Sequence, residues 1–353
     1  MAFSLSSRSK IRTIVGLDIE PGRAVAAEVS VNGVVRLTRA ASIALPVGVV
    51  RDGEVVDIDA VSSALRQLWS EHKGLGRQVR IGVANAKIVV RTVDIPPLTD
   101  VLQIDAAVRH IAAEELPMPL ESAVLDYETV GLVETAAGQR LRVVVVAARR
   151  EMVESIIAAV TRAGLKPRGV DLSAFAMIRA LGDGRSDSAL YLSVGGMANL
   201  AVVVDGVCLF TRVTGAGLEG MGIELAERRG LTLEDARRWL RHTGLKDDVQ
   251  DIEGDPDVIR DARSILSEGT RRLATDVRAS LDFHQTQTAA AEIDHALLTG
   301  VAASLPGFAD ALASELQMPV QTRCVAAVDG LGASIDLGGV TIAAGLAVAQ
   351  VGA

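Results

Sequence analysis

The sequence predicts an α/β protein of two lobes built to one plan. Two β-hairpins of the same design, at residues 17–25 and 192–200, carry this prediction. In each, a hydrophobic strand ends at a small polar residue, turns through glycine and returns as a second apolar strand that reaches another tight turn, Asn32-Gly33 or Asp205-Gly206. The chain of 353 residues, 49% of them hydrophobic, is long enough to bury two or more cores.

The first half of the chain predicts a three-stranded meander and a helix, followed by a small extra unit. The meander occupies 12–19, 23–31 and 33–43, and the amphipathic helix occupies 57–73. The next predicted elements are strands at 79–84 and 88–95, a helix that Thr99 caps and that runs to about Glu115, strands at 123–131 and 140–147, and a helix at 149–163. We therefore expect a flexible tail at 1–11, a first lobe at 12–85 that continues at 166–186, and an inserted α+β subdomain at 86–165.

The second half repeats the order of the first. The predicted elements are strands at 189–195, 199–204 and 207–213, a helix at 218–229, a helix that starts at 231–234, a long helix at 257–287, a strand at 293–299, and helices at 305–317 and 340–350. These patterns predict a second lobe at 187–353, with a helical subdomain at about 216–290.

Composition argues against nucleic acid as a partner and against a membrane-spanning segment. Aromatic residues make up only 3% of the chain and the net charge is −8, so the basic field and stacking platforms of general nucleic-acid binders are missing. The two cysteines, Cys208 and Cys324, lie in apolar surroundings and fit a reducing cytoplasm. No apolar run approaches the roughly 20 residues that cross a bilayer, so we expect no transmembrane segment.

The paired hairpins also suggest a binding site. Glycine turns that face each other across a cleft would present backbone N–H groups from both sides, which suits the phosphates of a nucleotide. Asp18 at a strand end has the chemistry to hold a water-coordinated Mg²⁺, although a strand-end Asp is commonly just an exposed turn residue. Gly195 and Gly196 permit close backbone approach, but such pairs more often only make hairpins. The residues alone leave both interpretations open.

Three segments in chain order resemble the motifs of a known superfamily. Residues 16–19 and 192–199, each with its hairpin, and residues 297–307 are similar to the first phosphate, second phosphate and adenosine motifs of actin-like ATPases. Segments outside these motifs, at 95–98, 115–120, 124–127 and 280–283, resemble the PilM family of type IV pilus assembly. The resemblance covers almost the whole chain. It implies an actin-like ATPase fold: two duplicated lobes, each a mixed sheet with flanking helices, around a nucleotide cleft, with a small α+β subdomain inserted in the first lobe.

The resemblance implies ATP and Mg²⁺ as cofactors, with Asp18 holding Mg²⁺ through water. The residues that it places at the nucleotide are Asp18, Gly22, Arg23, Gly195, Gly196, Met197, Asn199, Gly217, Gly300, Val301 and Ala302.

Three positions depart from the family pattern. Glu20-Pro21 puts a carboxylate, which repels phosphates, and a residue without an N–H into the first turn. Ser193 replaces the usual aspartate of the second hairpin and cannot act as an anionic metal ligand, and Val301 replaces an expected glycine. We therefore expect a degenerate cofactor site with weakened phosphate affinity, and we name no catalytic residue.

The resemblance also implies a partner, the cytoplasmic tail of a PilN-like inner-membrane protein, within the pilus assembly machinery. The inserted subdomain would receive this tail in a groove, for which the candidate residues are Pro96, Pro97, Leu116 and Pro117. The protein would then be cytoplasmic and would lie at the inner face of the cell membrane through its partners.

Three alternatives remain open. An active ATPase or phosphotransferase of the same fold is disfavoured by Ser193 and Glu20-Pro21, since phosphoryl transfer needs a positioned metal. An FtsA-like division protein would end in an amphipathic membrane helix, whereas 340–353 has no basic polar face. A GspL-like secretion protein is disfavoured by the lack of an apolar span.

Overall fold

The computed structural model describes residues 14–32, 34–136, 138–182, 188–286, 292–331 and 335–348. The predicted tail at 1–11 lies outside these residues. The first lobe contains a six-stranded sheet of order β10-β6-β1-β2-β3-β16. Its strands are β1 Val15–Glu20, β2 Arg23–Val31, β3 Val35–Ala44, β6 Gln78–Val83, β10 Lys166–Leu172 and β16 Ala326–Ala327, and a separate small hairpin is formed by β4 Val50–Arg51 and β5 Glu54–Val55.

The second lobe repeats this sheet. Its five strands, in the order β13-β12-β11-β14-β15, are β11 Ala189–Val194, β12 Ala198–Val204, β13 Val207–Thr214, β14 Ala296–Thr299 and β15 Val320–Thr322. In each lobe an antiparallel meander, β1-β2-β3 or β11-β12-β13, is extended on its first strand by two parallel strands, β6 and β10 or β14 and β15. The duplicated plan predicted from the hairpins is therefore confirmed.

The inserted unit is a three-stranded antiparallel sheet of order β7-β9-β8 covered by one helix. It consists of β7 Val89–Ile95, α2 Val101–Glu115, β8 Ala123–Thr135 and β9 Gly138–Arg149. Val93, Ile95, Ile104, Val108 and Leu141 belong to its own small core. The prediction that Thr99 caps the helix was wrong by one residue, because the side chain of Asp100 accepts the N–H of Gln103 at 3.0 Å.

The remaining helices surround the two sheets. They are α1 Ile58–Glu71, α3 Arg150–Arg162, α4 Ser173–Leu181, α5 Leu218–Arg229, α6 Leu233–Thr243, α7 Pro256–Gln285, α8 Phe308–Leu316 and α9 Thr341–Ala347. Helix α3, which the sequence analysis assigns to the inserted segment, packs Met152 and Ile156 into the core of the first lobe beside Leu65 of α1. No helix in the described residues has both the length and the hydropathy to cross a membrane.

Helices α4 and α9 join the two lobes. Met177 of α4 and Leu346 of α9 share a buried cluster with Tyr191 and Val203 of the second sheet. The other face of α9 packs Ala343 and neighbouring residues on the first sheet. This shared layer brings the turns of the two phosphate-motif hairpins together on one side of the molecule.

Candidate functional site

Asp18 lies in the buried part of β1, two residues before the strand ends at Glu20, and is enclosed by the first lobe. Only 7% of the residue is exposed, and the hydroxyl of Ser173 at the start of α4 donates to its Oδ1 at 3.2 Å. Burial, with a smaller effect from Glu20, raises the pKa of Asp18 to about 7, against the opposing effects of Arg23 and Ser173. The Asp18 carboxyl group therefore keeps its proton well above the usual range of an aspartate.

Glu20 joins the two hairpins. Its Oε2 accepts the backbone N–H of Gly196 at 2.7 Å, and its Oε1 accepts Nε of Arg23 at 2.5 Å. The same Arg23 donates from Nη2 to the carbonyl oxygen of Gly339 at 3.0 Å. A first-lobe carboxylate thus binds the backbone N–H that the second hairpin presents at its turn.

The backbones of the two turns are in close contact. A Cβ at Gly196 would lie 2.2 Å from the carbonyl oxygen of Pro21, and a Cβ at Gly217 would lie 2.3 Å from the carbonyl oxygen of Gly196. Leu218 at the start of α5 donates its N–H to the carbonyl oxygen of Gly195 at 2.8 Å. Glycine is required at these positions because no side chain fits between the turns.

Glu219 and Arg237 complete the contact on the second-lobe side. Glu219 is 8% exposed and accepts three bonds from Arg237, one from Nε at 3.0 Å and two from Nη2 at 2.6 and 2.5 Å. A Cβ on Gly22, whose φ is 86°, would lie 2.6 Å from Oε2 of Glu219. Arg237 lies on α6 and Glu219 on α5, so no local sequence pattern marks the pair.

The segment with the adenosine-motif resemblance packs against the end of the second hairpin. Gly300 has a φ of 85° and donates its N–H to the carbonyl oxygen of Gly338 at 3.2 Å. A Cβ on Gly300 would lie 2.5 Å from the carbonyl oxygen of Val194. Ala302 is fully buried, so its methyl group belongs to the core of the second lobe.

A cavity of about 850 Å³ lies in the second lobe, between the loop 215–217, α5 and α7. Gly217 is the predicted nucleotide residue on its wall. Its charged lining is mixed in sign, with Glu224, Glu268 and Asp276 beside Arg271 and Arg272.

A second cavity, of about 340 Å³, separates the base of the inserted sheet from the second lobe. One wall is formed by 83–86, the first residues of β7, Leu172 and Ala174, and the other by Asn199 of β12, residues 210–213 of β13 and Phe283 of α7. We call this cavity the interlobe groove. Strands β7 and β13 are edge strands of their sheets in the described part of the chain, and the two edges run close to each other beside the groove.

Two features of the interlobe groove suit it to binding a ligand: an exposed aromatic ring and a buried amide oxygen without a partner. The rings of Phe210 and Phe283 pack with centroids 5.5 Å apart, and Phe283 remains 46% exposed. Asn199 is 5% exposed, and its Oδ1 has no hydrogen-bond partner among the described residues. A buried amide oxygen on the wall of a groove calls for a donor from a ligand.

With this geometry in place, a comparison with known proteins decides the family. The sequence model described as "Type IV pilus assembly protein PilM" matches residues 16–327. The chain belongs to the PilM family. Among solved structures, a chain of the "PilM-PilN type IV pilus biogenesis complex" is similar with a TM-score of 0.77 and 25% sequence identity, over 95% of this chain and 97% of that one.

More distant structures of similar fold extend beyond the PilM family. The ethanolamine utilization protein EutJ from Carboxydothermus hydrogenoformans has a TM-score of 0.55 at 18% identity, covering 95% of this chain and 88% of its own. MreB5 of Spiroplasma citri, solved bound to ADP, has a TM-score of 0.54 at 11% identity and covers 95% of both chains. These likenesses concern the fold alone, and they confirm the predicted actin-like ATPase fold.

Within this PilM-family fold, five of the eleven residues predicted for a nucleotide lie together. Gly22, Arg23, Gly195, Gly196 and Gly217 all belong to the contact between the turns. Met197 is buried and its Cε lies near Gly53 of the first lobe. Asn199 points instead into the interlobe groove. Their assignment to a nucleotide stays a prediction.

The side chains of this PilM-family cleft do not fit a triphosphate with its Mg²⁺ in this arrangement. The Gly196 N–H that would face a phosphate already donates to Glu20. Asp18 is buried and bonded to Ser173, with a raised pKa that disfavours the anion needed for Mg²⁺. Ser193 is 6% exposed and supplies no charge.

The predicted partner residues lie elsewhere on the inserted subdomain. Pro96, Pro97 and Pro117 are exposed and Leu116 is half-buried. None of the four lines the interlobe groove.

Proposed function

We propose that this chain is a cytoplasmic scaffold of the type IV pilus inner-membrane complex, which binds the cytoplasmic tail of a PilN-like membrane protein. The observation that carries the proposal is the interlobe groove, found in a chain whose fold matches that of a PilM–PilN complex. The partner would hold the protein at the inner face of the membrane.

The shape of the interlobe groove suits an extended peptide. Strands β7 and β13 approach each other too closely to admit a third strand, so a peptide would lie across the mouth of the groove with its side chains inside. Asn199 adds an unpaired acceptor at the bottom, and the exposed ring of Phe283 adds apolar surface. The side chains of the groove would provide both affinity and selectivity.

The charge on the rim supports a peptide that carries acceptors. Arg91 and Arg212 line the interlobe groove from opposite walls. Arg212 also donates from Nη1 to the hydroxyl of Ser280 at 3.2 Å, which holds its guanidinium group against α7. Guanidinium groups bind carboxylates and carbonyl oxygens with several donors.

Calorimetric titration with a synthetic peptide of the PilN-like tail tests this function. We expect Phe283→Ala and Asn199→Leu to weaken binding at least tenfold, because each removes a contact inside the groove. Leu116→Ala and Pro117→Ala serve as matched controls on the other candidate surface and should bind like the parent protein. Weakening by the controls alone would move the site to 96–97 and 116–117, and no binding by folded parent protein would reject the partner role.

We also propose that the scaffold turns over little or no ATP. The support is the position of Glu20 on Gly196 and the buried, protonated character of Asp18. A phosphate-release assay with ATP and Mg²⁺ is expected to show no turnover above a blank. Release that disappears in Asp18→Ala would favour the alternative, an active ATPase or phosphotransferase.

A further inference from the structure

The bond between Glu20 and Gly196 connects the two lobes. Glu20 ends β1 of the first lobe and Gly196 lies in the turn after β11 of the second. The two residues are 176 positions apart, and their bond of 2.7 Å has ordinary geometry. The side chain of Glu20 is 12% exposed, so solvent competes little for this bond.

The donors that Glu20 occupies form an anion site. A backbone N–H at a glycine turn and a guanidinium, here Gly196 and Arg23, are the groups that bind phosphate oxygens in proteins. A carboxylate offers the same negative oxygens at the same distances. Glu20 therefore satisfies both donors from within the chain.

The packing leaves no room for a second anion. A Cβ at Gly195 would lie 2.6 Å from Oε2 of Glu20, and one at Gly196 would lie 2.2 Å from the carbonyl oxygen of Pro21. A phosphate at this point would have to displace Glu20 and separate the two turns. Its charge would also meet the carboxylate at close range.

We propose that the Glu20 carboxylate is a built-in phosphate substitute, which fills the anion site of the second hairpin and latches the lobes together without nucleotide. Glu20 then determines the specificity of the cleft by excluding phosphate. Arg23 contributes by neutralising the latch and by anchoring it to Gly339. The inference concerns the cleft and does not depend on the proposed partner.

Glu28 provides a matched control within one lobe. Its Oε1 accepts the backbone N–H of Gly76 at 3.0 Å and its Oε2 accepts Nη1 of Arg39 at 2.9 Å. Like Glu20, it is a buried carboxylate held by one backbone N–H and one arginine. All three of these residues belong to the first lobe, so Glu28→Gln disturbs the same chemistry without touching the latch.

The test measures ATP affinity and amide exchange on the full chain. We expect Glu20→Ala to bind ATP, with Mg²⁺ present, at least tenfold more tightly than the parent protein, because the Gly196 N–H and the Nε–H of Arg23 lose their acceptor and can bind phosphate. Hydrogen exchange at the segment containing Gly196 should rise at least tenfold in Glu20→Ala without nucleotide. Glu28→Gln should change neither value.

Two results would overturn the latch. Equal ATP affinity in the parent protein and Glu20→Ala would show that Glu20 does not compete with phosphate. Unchanged exchange at Gly196 would show that Glu20 does not hold the turns together. If Glu20→Ala fails to fold, Glu20→Gln decides, since it removes the charge while keeping the shape, and it should still strengthen ATP binding.

Discussion

At the scale of single residues, the aspartate that the sequence predicts for Mg²⁺ is a buried carboxyl group. Asp18 lies within the first strand, two residues before its end, and it is buried rather than exposed at a turn. Ser173, which donates to it, is 155 residues away and comes from a helix that the sequence did not predict. Position and residue type could be predicted from the sequence, whereas the burial that sets the protonation state could not.

The raised pKa of Asp18 makes a stability prediction. The folded pKa is about 7 and the ordinary value is 3.8, so between these pH values the unfolded chain releases a proton that the folded chain keeps. Stability is therefore lost as pH rises through this window. Asp18→Asn removes this dependence, and its advantage over the parent protein should grow by about 1.4 kcal/mol per pH unit and level off above pH 7.

Urea unfolding at pH 4.5, 6 and 7.5 checks this prediction. Asp94→Asn is the control of opposite sign, because Arg142 lowers the pKa of Asp94 and the substitution should cost stability at neutral pH. The prediction for Asp18 is wrong if Asp18→Asn and the parent protein keep a constant difference from pH 4.5 to 7.5.

The departures at Glu20-Pro21 show how far residue-level reasoning reaches. The sequence predicts that a carboxylate in the first turn weakens phosphate binding. It does not predict the bond to Gly196, because hydrogen bonds between distant hairpins follow from the closure of the lobes. The chemistry of Glu20 is local, but its contact is set by the whole fold.

At the scale of elements, periodic patterns predicted most strands and helices, and broken patterns hid the rest. Strand β10 carries Pro167 and Gly169 with an irregular register between them, so its alternation is interrupted. Helix α4 follows it directly and was also missed. Because the sequence does not predict α4, it also does not explain why the predicted closing helix contains Gly345.

That glycine lies at the crossing of α4 and α9. A Cβ on Gly345 would lie 1.8 Å from the backbone carbonyl oxygen of Ala176, so the helices must separate to admit it. We expect Gly345→Ala to destabilise the protein by about 2 kcal/mol or more, although alanine is the better helix former. The midpoint of urea unfolding measures the loss.

The same substitution on α5 is the control. Gly220 is exposed, and the nearest atom to a Cβ there is the carbonyl oxygen of Gly215 at 4.0 Å. Gly220→Ala should therefore stabilise the protein, by up to about 1 kcal/mol. A stabilising Gly345→Ala would contradict the close helix contact.

At the scale of the whole molecule, the duplicated sheets could be predicted because each hairpin is a local pattern. The interlobe groove could not, since its walls come from 83–91, Asn199, 210–213 and Phe283 and meet only when the lobes close. The resemblance assigns the partner site to prolines of the inserted subdomain because it identifies segments of the chain. A cavity depends on how separate segments pack together, which the resemblance does not describe.

The Glu20 latch and the interlobe groove share one hairpin. Gly196 faces Glu20, and three residues later Asn199 faces the groove. Asn199 pairs with Ser193 across the same two strands, so the turn and the groove wall move as one body. Releasing the turn from Glu20 should therefore shift one wall of the groove relative to β7.

We expect Glu20→Ala to weaken binding of the PilN-like peptide at least threefold, because the groove then spends part of its time with its walls apart and affinity falls with the competent fraction. Calorimetry with the same peptide measures the change, and Glu28→Gln should bind within twofold of the parent protein. Equal peptide affinity in Glu20→Ala and the parent protein would separate the latch from the groove and leave each to be judged by its own test.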